Sequence, residues 1–498
     1  MKKISKKVKT LIFSSSGLVI LAAVLLLLKL TADEESTRDD IISEPELPHI
    51  HFTELDAEEV RIISVKNEFD EYMIAWGLSD RFMVSGLLNA PLNESRLHTA
   101  ARYVSGFWVR DIVEENAENL EQYGLGDTAV QVSAVFKNDE TINIYIGDKT
   151  PTAENMAFVR VGDDNNVYIV WSYMVDMFRE SSLQFVSLDI TGDYYSVGSP
   201  QIEKLTVERL GTERYVIELN PDVFTEEIVF NPHIFVEPAY AFGLEVDATR
   251  GQSVMHGLFG LTASSVAYVG EGLPRNLPED SGFDGIFDEP VAYVEMIIDG
   301  VTYTLLVGER AVMQNENAED ILLGYYAFFS EQPDVLYVIP PEMLTWLNFD
   351  VESIMAVMFI RPYIYTVSDF IIETPSRVLN FRFAGDSRDN EVYYLDGEPV
   401  DTSAFKDLYI YAISVSATGL WSEEPKEFEV EPLLARYTFK YRDRSKPDTT
   451  LEFYDAGNMT GVVVLDGRPL FTVSLMYLNR LEQNIEAYLK GEPIINSW

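Results

Sequence analysis

Val130 to Asp148 reads VQVSAVFKNDETINIYIGD. Apolar residues alternate with polar ones on both sides of Asn138-Asp139, and the stretch closes on Gly147. Alternation of period two puts one set of side chains on each face of a strand, and Asn and Asp tolerate the positive φ of a tight turn. The stretch therefore predicts a β-hairpin. Val291 to Glu309, VAYVEMIIDGVTYTLLVGE, predicts a second hairpin, turning at Asp299-Gly300 and closing on Gly308. One gapless shift carries Val130 onto Val291, Thr141 onto Thr302 and Gly147 onto Gly308. Upstream, the same shift lays Gly124-Leu125-Gly126-Asp127 on Gly285-Ile286-Phe287-Asp288. Such self-similarity marks a repeated structural unit.

The correspondence extends outward. After Gly147 come Ala157–Val161, an Asp163-Asp164-Asn165-Asn166 turn and Val167–Val170. After Gly308, beyond a longer loop, come Gly324–Phe329 and Val335–Ile339. Short helical segments follow at Ser172–Phe178 and Pro341–Leu347. A third, divergent copy has strands at Arg436–Tyr441, Thr450–Tyr454, Gly461–Leu465 and Pro469–Val473. Leu475, Leu478, Leu481, Ile485 and Leu489 then recur at helical spacing. Each block is prefaced by strands and a helix, the helices being expected near Glu94–Val113, Thr249–Leu261 and Thr402–Val415. The expected fold class is α+β: an N-terminal transmembrane helix, then three tandem α+β units with mainly antiparallel sheets at 57–195, 196–364 and 365–498.

The ends of the chain set the expected location. Lys2, Lys3, Lys6, Lys7 and Lys9 precede an apolar stretch from Leu11 to Leu30, and Asp33-Glu34-Glu35 follow it. A length of 18–20 residues suits a bilayer core of about 30 Å, and lysines before the span place the N-terminus inside. Residues 1–31 are thus expected to be a basic cytoplasmic stub with a membrane anchor, and 32–56 an acidic linker. A cleaved signal peptide is the alternative, and both readings export the rest of the chain. The chain has 498 residues, 81 acids against 37 bases, and a formal charge of -44. That surface repels nucleic acid, whose binding rests on cations. With no cysteine there are no disulfides, thiol nucleophiles or cysteine metal sites.

No catalytic, cofactor or metal site is expected. The five histidines are His49, His51, His98, His233 and His256. His49 and His51 lie in an acidic tether without the third and fourth ligands a metal needs. His98 and His256 fall in expected helices. No phosphate loop, nucleophile elbow or His-Glu-x-x-His motif occurs. Asp163–Asn166 lacks the spacing of a calcium loop and reads as a turn. Trp76, Trp108, Trp171, Tyr325 and Trp346 read as packing residues before they read as a carbohydrate face.

The first unit resembles a bacterial family of unknown function, domain-of-unknown-function family 4340. The resemblance is carried by Ile62 and Val65 on the opening strand, Tyr123-Gly124-Leu125, Ile146-Gly147-Asp148, Thr150-Pro151 and Val167–Val170. The second unit is similar more loosely, through Gly285-Ile286. The resemblance implies an N-terminally anchored, extracytoplasmic repeat protein at the cell membrane, of a kind often associated with ABC-type export permeases of gliding-like systems, and the family has no assigned enzymatic activity. The expectation is a non-enzymatic accessory or scaffold protein whose partners are the membrane and an ABC transporter permease or other envelope protein. The alternatives are a binding module for an envelope polymer or exported solute, and a wall-modifying enzyme of unrecognised type.

Overall fold

A computed structural model describes residues 49–496, apart from 78–80, 152, 194–197, 199, 222–230, 276, 278–281, 284, 316–317 and 422–432. Among the described residues the strands form one two-stranded sheet and three large ones of eight, eight and nine strands. The small sheet pairs Ile50–His51 with Trp108–Val109.

The first large sheet runs across, in spatial order, as Phe82–Val84, Glu71–Trp76, Val60–Lys66, Val130–Phe136, Thr141–Thr150, Ala153–Val161, Val167–Trp171 and Asp111–Glu114. It is two meanders, of three and four strands, joined where Val60–Lys66 pairs antiparallel with Val130–Phe136. The connection between the meanders carries a helix, Glu94–Ser105, and then lays Asp111–Glu114 on the far edge. Alternation decides which face is covered. Ile63 and Val65 are buried, as are Val132, Ala134 and Phe136 beside them. Leu97, Ala100, Ala101 and Val104, spaced i, i+3, i+4 and i+7, form the buried stripe of the helix. Each fully buried branched side chain contributes roughly 1.5–3 kcal/mol.

The second sheet repeats that strand order: His233–Glu237, Tyr215–Leu219, Ile202–Arg209, Ala292–Ile298, Val301–Gln314, Asp320–Phe329, Val335–Ile339 and Ser265–Val269. The third repeats it with one added edge strand: Glu398–Pro399, Val392–Leu395, Arg377–Ala384, Val367–Thr374, Leu433–Tyr441, Thr449–Asp455, Thr460–Leu465, Arg468–Ser474 and Gly419–Leu420. Here two helices, Thr402–Ile413 and Leu475–Leu489, pack together, with Tyr411 stacked on Tyr477 at 5.2 Å. The Tyr437 and Tyr477 hydroxyls meet at 2.6 Å, and the Tyr477 hydroxyl reaches the Ala412 carbonyl at 2.9 Å. A buried phenol must find such partners.

The chain forms two compact units. One takes residues up to Leu88 with Glu94–Phe185; the other takes Asn89–Asn93 with Val186–Trp498 and so holds both the second and third sheets. The three large sheets draw their strands from Val60 to Trp171, from Ile202 to Ile339 and from Val367 to Ser474.

The fold class is corrected. Strand makes up 42% and helix 19%, so the chain is mostly antiparallel β rather than α+β. Helices expected from periodicity shrink. The helix expected to reach Val113 stops at Ser105, before Gly106, and the β-branched residues Val109 and Ile112 pair in strands. The one expected at Thr249–Leu261 is reduced to Gln252–Met255 between Gly251 and Gly257. The segments after the hairpins are 3-10 turns, Ser172–Met174, Asp176–Arg179 and Pro341–Asn348. The transmembrane helix of the expected class finds no support: among the described residues no helix is long and apolar enough to cross a membrane. Leu11–Leu30 itself lies outside the described residues.

The hairpins sit where alternation and turn chemistry put them. Asp139 takes φ 66°, and at Asp299-Gly300, Asp396-Gly397 and Asp466-Gly467 both residues have positive φ. Gly147 and Gly308 serve a different need, close approach. A methyl group on Gly147 would run into the Tyr123 carbonyl oxygen, and one on Gly308 would lie 2.5 Å from the Ile286 carbonyl oxygen. Backbone cannot yield as a flexible side chain can. Gly308→Ala is expected to destabilise by about 1–3 kcal/mol, read as a lower urea midpoint. Gly106→Ala, where the added carbon meets only ordinary contact at 3.5 Å, should leave the midpoint unchanged.

Candidate functional site

The first strand of the second sheet starts at Ile202, and the sheet's edge strand starts at His233. Their ends, with Leu219 and the turn that follows Val246, enclose a cleft of about 440 Å³. Pro200, Gln201, Ile202, Leu219, Pro232, His233, Val246, Asp247, Ala248, Gly251, Gln252, Met255 and His256 line it. The lining is largely apolar, and its polar side chains are those of Gln201, His233, Asp247, Gln252 and His256.

The His233 Nε2 lies 2.9 Å from the Ile202 carbonyl oxygen. A carbonyl only accepts, so Nε2 carries the proton and Nδ1 is the acceptor of a neutral ring. Burial pushes the His233 pKa down, more than the Ile202 carbonyl raises it. His256 is pushed down by burial and by the positive charge His233 would carry, with Asp193 opposing.

Asp247 is the one carboxylate of the lining, and the turn uses it. Its Oδ1 accepts from the N–H groups of Arg250 at 2.7 Å and Thr249 at 3.0 Å. Burial would raise its pKa, but those N–H groups and the Arg250 guanidinium together hold it below the ordinary carboxylate range. It is thus an ionised turn-former, a poor proton donor near neutral pH. The Asp247 N–H donates to the Ile354 carbonyl at 2.8 Å, and Gly251 returns to the Asp247 carbonyl at 2.8 Å. A side chain at Gly251 would collide with Val246 and the Asp247 oxygen. The arrangement holds a shaped apolar wall beside neutral imidazoles. Chemically it suits an apolar or amphiphilic ligand with one hydrogen-bonding group.

The other singled-out residues do not converge on it. His49 lies against Trp108 with ring centres 4.1 Å apart, and His51 faces Glu54 at 3.6 Å. His98 packs edge-on against Phe82 at 4.9 Å and Trp76 at 5.6 Å. Among the described residues no group of three or more His, Asp or Glu could hold a metal ion. Asp163–Asn166 forms a turn in which the Asp164 carboxylate accepts from the Asn166 N–H at 3.1 Å. Trp346 is buried, while Trp76, Trp108, Trp171 and Tyr325 are half-buried at separate places. The pairing of His233 with His256 was missed in the sequence. They lie in different elements, and no spacing rule links them.

The depressed imidazoles carry a pH signature. Above the ordinary histidine pKa of about 6.5 both folded and unfolded states are neutral, and stability is full. As pH falls below that value the unfolded chain takes up protons that the folded chain resists, so stability is lost toward the depressed folded pKa. His233→Gln is expected to flatten the difference in urea midpoint between pH 7.5 and pH 5.5 relative to the parent protein. An unchanged slope would contradict the burial argument.

Residues 84–284 match the family model described as a domain of unknown function (DUF4340). That span contains Tyr123-Gly124-Leu125, Ile146-Gly147-Asp148, Thr150-Pro151 and Val167–Val170, and it leaves out Ile62, Val65 and Gly285-Ile286. No curated protein and no solved structure matches the chain. Over residues 84–284 the chain is similar to the DUF4340 family.

Proposed function

We propose that the protein is a non-enzymatic accessory or scaffold protein acting outside the cytoplasm, where it presents repeated sheet surfaces to an envelope partner. The observation that carries this reading is repetition: one strand order is built three times along the chain. Repeated units that differ in surface but share a frame multiply contact area, a use typical of binding scaffolds. The cleft's one carboxylate is committed to a turn. The five lysines ahead of the apolar Leu11–Leu30 stretch support export. The partner class that the family resemblance brings forward is an ABC-type transport permease.

The cleft beside His233 favours a second reading, a binding module for an envelope polymer or exported solute. Affinity purification of the full chain from detergent-solubilised membranes tests the first reading. Co-purification of a permease or another envelope protein in fixed ratio is expected, and recovery of the protein alone would contradict it. Polymer co-sedimentation separates the two readings, because a scaffold stays in the supernatant.

A further inference from the structure

The hairpin Val301–Gln314 and Asp320–Phe329 is longer than its counterparts. In the first sheet the equivalent hairpin closes where Thr150 pairs with Ala153, and its end is polar, with Lys149 bonded to Asp176 at 3.2 Å. In the third sheet, Thr449–Asp455 and Thr460–Leu465 are joined by a short turn. In the second sheet the flanking strands stop early. Ala292–Ile298 pairs no further out than Val307, and Val335–Ile339 no further than Tyr325. Past these pairs the two strands go on pairing with each other through Ala311 opposite Gly324, Val312 opposite Leu322, Met313 opposite Ile321 and Gln314 opposite Asp320. At about 3.4 Å per residue this arm reaches roughly 15 Å beyond its neighbours.

The arm is apolar and uncovered. Val312, Met313, Ile321, Leu322 and Leu323 are each between 41% and 51% exposed. Successive pairs face opposite ways in a ribbon, so Val312 with Leu322 forms one apolar face and Met313 with Ile321 the other. The outer backbone edges of both strands lie past the last paired residues of their neighbours. Such edges are templates for a further strand, and folded proteins commonly blunt them. A two-stranded ribbon is also marginal by itself.

Charge selects the occupant. Glu319 and Asp320 stand at the exposed tip, ahead of the apolar residues, and Glu309 is exposed at the base. A bilayer would have to take those carboxylates in first, at a cost that disfavours insertion. A second copy would bring an identical acidic tip and another -44 charges. We propose that the arm is a docking strand-pair for an extended apolar segment of a partner protein bearing lysine or arginine at its ends. The segment would add as a strand along the arm's edge, its apolar side chains covering Val312 and Leu322 and its cations meeting Glu319, Asp320 and Glu309. This inference rests on the accessory-protein reading and names the surface through which it acts.

The chain has no cysteine, so Met313→Cys in the full-length protein takes one environment-sensitive fluorophore, on the arm alone. The probes are a lysine-flanked peptide of alternating valine and threonine, the same peptide flanked by glutamate, and phosphatidylglycerol–phosphatidylethanolamine vesicles. The lysine-flanked peptide should give a saturable blue shift, weakened by salt, with at least tenfold lower affinity for the glutamate-flanked one. Val312→Glu combined with Leu322→Glu should weaken it at least tenfold while circular dichroism stays unchanged. Gln314→Cys provides a second labelling position should the first disturb the arm. Equal response to both peptides, no response, a response to vesicles alone, or a shift that grows with protein concentration without peptide would each overturn the proposal. An intact peptide response with the protein purifying alone would sink only the accessory-protein reading. The reverse would sink only the arm.

Discussion

Every large sheet depends on one long-range antiparallel pairing. Val60–Lys66 joins Val130–Phe136, Ile202–Arg209 joins Ala292–Ile298, and Val367–Thr374 joins Leu433–Tyr441. Most strands within the three-stranded meander on one side and the four-stranded meander on the other are close in sequence, so those hairpins need little entropy to form. The seam closes a loop of many tens of residues, and its cost is offset only by burial along both strands. Ile63, Leu205 and Phe370 at the seam are fully buried, as are Ala134, Val294 and Phe439 across it. Once the seam is made, the intervening connection has both ends fixed. It then drapes its helix and returns along the far edge.

That constraint explains what could be read from sequence. The hairpins were legible because alternation and Asp-Gly turns are local and each carries its own mechanism. Val130–Phe136, Thr141–Thr150, Ala292–Ile298 and Val301–Gln314 stand where Asn138-Asp139 and Asp299-Gly300 put them. The helix Leu475–Leu489 was legible by its apolar spacing. The connections were not. Asp111–Glu114 and Ser265–Val269 become strands only because an edge is waiting for them, which no local pattern reveals. The same tertiary effect trims the helices and moves the chain from α+β to mostly β.

The site was less legible than the frame. Ile202, His233, Val246 and His256 meet because two strand ends and one glycine-bound turn converge, and Gly251 fits only where no side chain can. Sequence separation hides that meeting. The apolar arm was visible only as a longer loop after Gly308. Its meaning emerges from register, since the neighbouring strands' last pairs are made with Val307 and Tyr325 while Val312 and Leu322 go on pairing. The shared frame thus stays constant while one sheet gains an arm and a cleft, which is where specialised contacts are expected in a repeat protein.

Hydrogen exchange followed by mass spectrometry on the full chain tests the seam most directly. Peptides covering 60–66 and 130–136 should exchange together and slowest within the first sheet, with 202–209 and 292–298 behaving alike in the second. Rapid exchange of one seam strand while its partner stays protected would contradict the account.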